Sequence, residues 1–86
     1  MINPNRIYKS TDTYMITKIH DKGGNNSFAV TANGATFEGW LDRLSNTKSY
    51  QRFNENDLVK IGLQYSIMLD RWVVRAMTKI RQPAPR

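Results

Sequence analysis

Apolar and polar residues alternate in short runs along this chain, and glycine- and asparagine-rich breaks separate the runs. A period of two sends successive side chains to opposite faces of a strand, so the pattern predicts a mostly β protein. The first run, Thr13-Tyr14-Met15-Ile16-Thr17-Lys18-Ile19, is rich in β-branched and aromatic residues. Asp21-Lys22-Gly23-Gly24-Asn25-Asn26 follows, a turn signal because glycine and asparagine tolerate positive φ. It leads into a second strand over 27–31. Asn33-Gly34 is a favoured two-residue hairpin turn and opens a third strand over 35–41. Gly39 lies inside that run, where glycine predicts a bulge or a sharp bend that curls a sheet.

The stretch 42–56 changes character. It is polar, and Ser45-Asn46-Thr47 caps a short helix expected over 45–54, with Tyr50 and Phe53 three residues apart on one side. Two longer alternating runs follow. From 57 to 65 the alternation collects Val59, Ile61, Leu63 and Tyr65 on one face. From 71 to 80 it collects Trp72, Val74, Ala76, Thr78 and Ile80 on one face, and Arg71, Val73, Arg75, Met77 and Lys79 on the other. Residues 58–69 contain helix formers, but the period of two and the β-branched content of 72–80 favour strands. Residues 1–12 are polar apart from Ile7-Tyr8 and read as an N-terminal arm or short edge strand. Residues 81–86, with Pro83 and Pro85, cannot extend a ladder and read as a flexible basic tail. The expected organisation is therefore an arm at 1–12, one domain at 13–80 and a tail at 81–86.

Composition narrows the function classes. The chain has 86 residues, room for one domain, and its 40% hydrophobic content suffices for a packed core. It has no cysteine, which excludes disulfides and thiolate zinc sites and suits a reducing cytosol. No signal-peptide core opens the sequence and no apolar run reaches a membrane span, so the expectation is a cytoplasmic protein with no membrane association. The net charge is +6 with a pI near 10.0. Residues 58–86 carry +5 of it and residues 1–57 only +1. That asymmetry is the footprint of a polyanion binder, although a basic surface also serves solubility alone.

The parts of an enzyme are missing from the sequence. The single histidine, His20, sits beside Asp21 at a turn, and no Ser-His-Asp set or metal cluster can be assembled around it. Glu38 and Asp42 share a strand face but have no cleft, and Lys22-Gly23-Gly24 lacks the spacing of a phosphate loop. The expectation is a non-enzymatic protein with no catalytic residues, no metal and no cofactor.

Three strands, a short helical connection and two further strands form a layout that resembles the OB-fold, a five-stranded Greek-key barrel with its helix between the third and fourth strands. The resemblance spans about residues 13–80 and is one of layout. It rests on Gly39 within the third strand, the polar linker at 45–54 and the Asn56-Asp57-Leu58-Val59-Lys60-Ile61 opening of the fourth strand. Small barrels of the Src-homology type share the strand count but carry only a helical turn before the last strand, so the longer linker favours the OB-like layout. The resemblance implies a binding surface for single-stranded nucleic acid, oligosaccharide or protein across the second and third strands, flanked by the loops 20–26 and 66–71.

Placed on that surface, Trp40 is the sharpest candidate. It faces outward if Phe37 and Leu41 face the core, and inward if Gly39 bulges and flips the alternation. An outward indole offers a base a stacking partner. Trp72 is assigned to the core, or to the loop mouth beside Arg71 in the other register. Arg71, Arg75 and Lys79 form a basic stripe suited to a phosphodiester backbone, or else a solvated strand face. Lys18, Lys22, Asn25, Arg43, Lys48 and Arg52 complete the candidate nucleic-acid-binding set.

Two functions follow from this reading. The first is a small binder of single-stranded DNA or RNA, acting through backbone electrostatics and aromatic stacking with little sequence specificity. The second is a protein-interaction module, such as a phage or mobile-element inhibitor or adaptor that docks on a larger host enzyme. Either is compatible with a monomer or a homodimer. Aromatics interleaved with Lys and Arg favour the first, and an apolar patch rimmed by charge favours the second.

Overall fold

The computed structural model describes residues 2–20, 26–45 and 52–80. Six strands run in chain order: β1 (Tyr8–Lys9), β2 (Tyr14–Ile19), β3 (Ser27–Ala32), β4 (Ala35–Trp40), β5 (Leu58–Ser66) and β6 (Arg71–Lys79). β2 pairs antiparallel with β3, β3 with β4, and β5 with both β2 and β6, while β4 and β6 pair in parallel. The circuit β2–β3–β4–β6–β5–β2 closes a five-stranded barrel, and β1 is one extra strand added to β5 opposite Leu63 and Gly62. Closure pairs β4 with β6 and β2 with β5, strands that would otherwise be the edges of an open sheet. The layout is compatible with the OB-like one. No helix among the described residues is long and apolar enough to cross a membrane.

The strand bounds follow from the alternation, and the turns follow from local chemistry. Asn33 and Gly34 both take positive φ, at 50° and 82°, as a two-residue turn twisted to match its strands requires. Inside the barrel, Tyr14, Ile16, Phe28, Val30, Val59, Ile61, Val74 and Met77 form one buried cluster with Leu44. Phe53, one of the two linker aromatics, is partly buried against it, while Tyr50 lies outside the described residues. The helix expected over 45–54 falls mostly there too. Its described ends, Ser45 and residues 52–54, are not helical, and among the described residues between β4 and β5 the helical element is a single 3-10 turn at Leu41–Arg43.

Three departures from strict alternation shape the surface. Gly39 is not a bulge: Phe28 stands opposite it in an unbroken β3–β4 register. A side chain there would place its Cβ 2.6 Å from the Phe28 ring and 2.9 Å from the Val74 carbonyl oxygen. Glycine is needed because the Phe28 ring and the β6 backbone occupy that space. The bulges lie elsewhere. Register shifts between Ile16 and Lys18, leaving Thr17 as the extra residue of β2. Without it, Lys18 would share the inward face of Tyr14 and Ile16. With it, Lys18 is exposed and Ile19 packs against the core.

The second bulge is at Arg75. Gly62 opposes Ala76 and the next β5 residue, Leu63, opposes Val74, so Arg75 is the unpaired extra residue of β6. Val74 and Met77, three residues apart, both reach the core as a result. The stripe expected of Arg71, Arg75 and Lys79 is therefore broken, because the faces exchange at its middle member.

Replacing Gly39 with alanine is expected to destabilise the barrel by about 1–3 kcal/mol, since the new methyl meets an aromatic ring and a backbone oxygen together. Urea unfolding reads this as a lowered midpoint at unchanged slope. An unchanged midpoint would mean that β4 and β6 are not in this close contact.

Candidate functional site

On the β4 strand, Phe37 packs against the core and Gly39 lies under the Phe28 ring, so Trp40 takes the outward parity. Its half-buried indole lines a groove of about 570 Å³ on the outer surface of the barrel. Val73 of β6, buried yet outside the core cluster, also lines it. Arg75 enters from its bulge and Arg43 from the end of the 3-10 turn, beside Asp42. The remaining side is the β5–β6 hairpin, residues 64–69, with Pro4 and Asn5 of the N-terminal arm. The arm is held by the Gln64 side-chain amide, which donates to the Pro4 carbonyl at 2.9 Å, and within the arm Arg6 stacks 5.1 Å over the Tyr8 ring.

Charge in the groove is unequally neutralised. Glu38, next to Trp40, is engaged by Arg71 at 2.5 Å, and both side chains are about half exposed, at 44% and 53%. An exposed pair of this kind contributes roughly 0–1 kcal/mol to stability, but it removes the acidic residue that stood against an anion in this region. Lys79 is likewise paired, with Asp57 at 3.2 Å at the other end of β6. Arg43 and Arg75 make no ion pair among the described residues. The Arg75 Nε is buried without a hydrogen-bond partner among them, a state that leaves a charged donor underused. Asp42, Arg43, Ser45 and Arg75 also line a second, more open hollow next to the groove, where the Ser45 amide donates to the Arg75 carbonyl at 2.7 Å.

The expected site residues are thus dispersed. Trp40, Arg43 and Arg75 come together in the groove. Arg71 lies next to it but is committed to Glu38, Lys79 is at the far end of its strand, and Lys18 and Arg52 are exposed outside the groove. Lys22, Asn25 and Lys48 lie outside the described residues. Trp72 belongs neither to the buried core nor to the groove. It is wedged edge-on between Tyr8 at 5.5 Å and Tyr65 at 5.7 Å, an aromatic trio that ties the N-terminal arm to β5 and β6.

The hairpin tip was the part that alternation alone passes over. Ile67, Met68 and Leu69 are 71%, 93% and 43% exposed, three apolar side chains in a turn where polar residues are the rule. The tip is braced. Ser66 Oγ accepts from the Leu69 amide at 3.1 Å, Tyr65 donates its phenol proton to Asp70, and Asp70 takes positive φ, 54°. The only sign of this in the sequence is an apolar triplet bounded by Ser66 and Asp70 between two strongly alternating runs.

Comparison with protein-family models, with curated proteins and with solved structures finds no match to this chain. Among the described residues no three His, Asp or Glu side chains stand together to hold a metal ion.

The Asp70 carboxylate holds the Tyr65 phenol above its ordinary pKa of 10.0, first through the hydrogen bond it accepts, then through burial and through its negative charge. A raised folded-state pKa means that the brace is intact below the unfolded value and is lost as pH rises through the folded one. Ultraviolet titration of the phenolates, subtracting a Tyr65→Phe variant, should place this group above 10.0, and Asp70→Asn should lower it. A Tyr65 that titrates normally in the parent protein would mean that the tip is not braced in this way.

Proposed function

We propose that this protein binds an unpaired strand of DNA or RNA across the outer surface of β4 and β6, with little preference for sequence. The observation that carries the reading is the convergence of Trp40, Arg43 and Arg75 on one groove of a closed, OB-like β-barrel. Each member supplies a different part of the affinity. The indole offers a flat apolar face on which any base stacks, a contact of about 1–3 kcal/mol in single-strand binders. The two guanidinium groups, without carboxylate partners among the described residues, supply positive charge for the phosphodiester. Phosphate neutralisation releases counterions, so binding weakens with salt.

Two further features suit this assignment. The Arg71–Glu38 pair takes up the acidic residue adjacent to Trp40, leaving Asp42 as the acidic side chain that lines the groove. The net charge of +6 draws a polyanion to the surface before any contact forms. A protein-interaction module is the competing reading, and the exposed Ile67 and Met68 are what favour it. That reading predicts no response to oligonucleotide at any salt concentration.

Titration with a short oligothymidine should quench tryptophan emission, and more weakly as salt rises. Trp40→Ala is expected to remove most of the quenching and about 1–3 kcal/mol of affinity. Arg75→Ala should flatten the slope of log affinity against log salt by about 0.7, the value for one lost single-strand phosphate contact. Unchanged emission at low salt from a folded protein would overturn the assignment.

A further inference from the structure

We propose that the β5–β6 hairpin tip is an apolar wedge, with Met68 and Ile67 entering between two successive bases of the strand held against Trp40. The inference rests on the single-strand reading and adds that binding unstacks the ligand at one step. The wedge is preformed. Three apolar side chains left to themselves would fold back onto the barrel, yet Ile67 and Met68 project while the Tyr65–Asp70 and Ser66–Leu69 hydrogen bonds fix the turn beneath them. The same hairpin lines the groove that holds Trp40, so a strand stacked on the indole and continuing along the groove meets the tip. Unbranched Met and branched Ile are among the side chains that part a base step without needing a polar partner.

Other occupants of the tip fit the molecule less well. A second copy brings another +6 and its own tip, and three side chains fall far short of the roughly 800 Å² per partner of a stable interface. A strand of nucleic acid matches both parts of the surface, with phosphates for Arg43 and Arg75 and apolar base faces for the tip.

The test uses an oligodeoxyadenylate with two adjacent 2-aminopurines, whose emission rises when they unstack. The parent protein should raise that emission several-fold as tryptophan emission is quenched. The double variant Ile67→Ser, Met68→Ser removes only exposed side chains and should keep the parent's unfolding midpoint. It should bind about tenfold more weakly and leave the 2-aminopurines stacked. Equal unstacking by parent and variant, or binding by the parent without unstacking, would overturn the wedge while leaving single-strand binding in place. Sedimentation showing a parent dimer that the variant abolishes, with oligonucleotide binding unchanged, would make the tip a self-association contact. Failure of the parent to bind at all would remove both proposals together.

Discussion

The barrel closes where β4 and β6 run in parallel, and that closure depends on the absence of one side chain. Only glycine at position 39 lets the Phe28 ring pack against β4 while the Val74 backbone comes alongside. With the ring seated there, Phe28 is buried in the core and the strand continues without a bulge to Trp40. The outward aim of Trp40 is therefore a consequence of core packing by the neighbouring strands. Had the chain answered the crowding at Gly39 with a bulge, the indole would point into the interior and the groove would lose its only tryptophan. An interior packed as densely as a crystal leaves no intermediate arrangement.

The two bulges do the complementary task of keeping charge out of the core. An extra residue at Thr17 turns Lys18 to solvent and Ile19 toward the interior. An extra residue at Arg75 lets Val74 and Met77 both reach the core and leaves the arginine at the groove. Each bulge exchanges the two faces of its strand, so residues spaced by an even number across it no longer share a side. The cations of β6 are dispersed for this reason. Arg71 is bound to Glu38, Lys79 is bound to Asp57, and Arg75 stands between them with its Nε unpartnered among the described residues.

The strands were legible because period-two alternation is a local property, and all five barrel strands begin and end within about two residues of where that alternation places them. Asn33-Gly34 was legible for the same reason: both residues are chosen for positive φ. Faces were less legible. Gly39 carries the same signal whether glycine marks a bulge or a close approach, and only Phe28, distant in sequence, decides between them. Neither bulge is marked by glycine, since Thr17 and Arg75 look like ordinary strand residues. The aromatic stack of Tyr8, Trp72 and Tyr65 joins the arm to the last hairpin, a contact between chain ends that no window of sequence contains. The loop at 66–71 was legible, but the exposure of its apolar triplet was not, because Ile67-Met68-Leu69 has the composition of a segment that packs inward.

The central claim is that one groove, and not the basic surface as a whole, is the binding site. Amide and indole resonances followed by NMR during addition of oligothymidine test this most directly, because every backbone position reports separately. The account predicts that the largest shifts cluster at the Trp40 indole, Arg43, residues 64–69, Val73 and Arg75, with Lys18 and Lys79 little moved. Small shifts spread over the basic residues on all sides of the barrel, with the Trp40 indole unmoved, would contradict it.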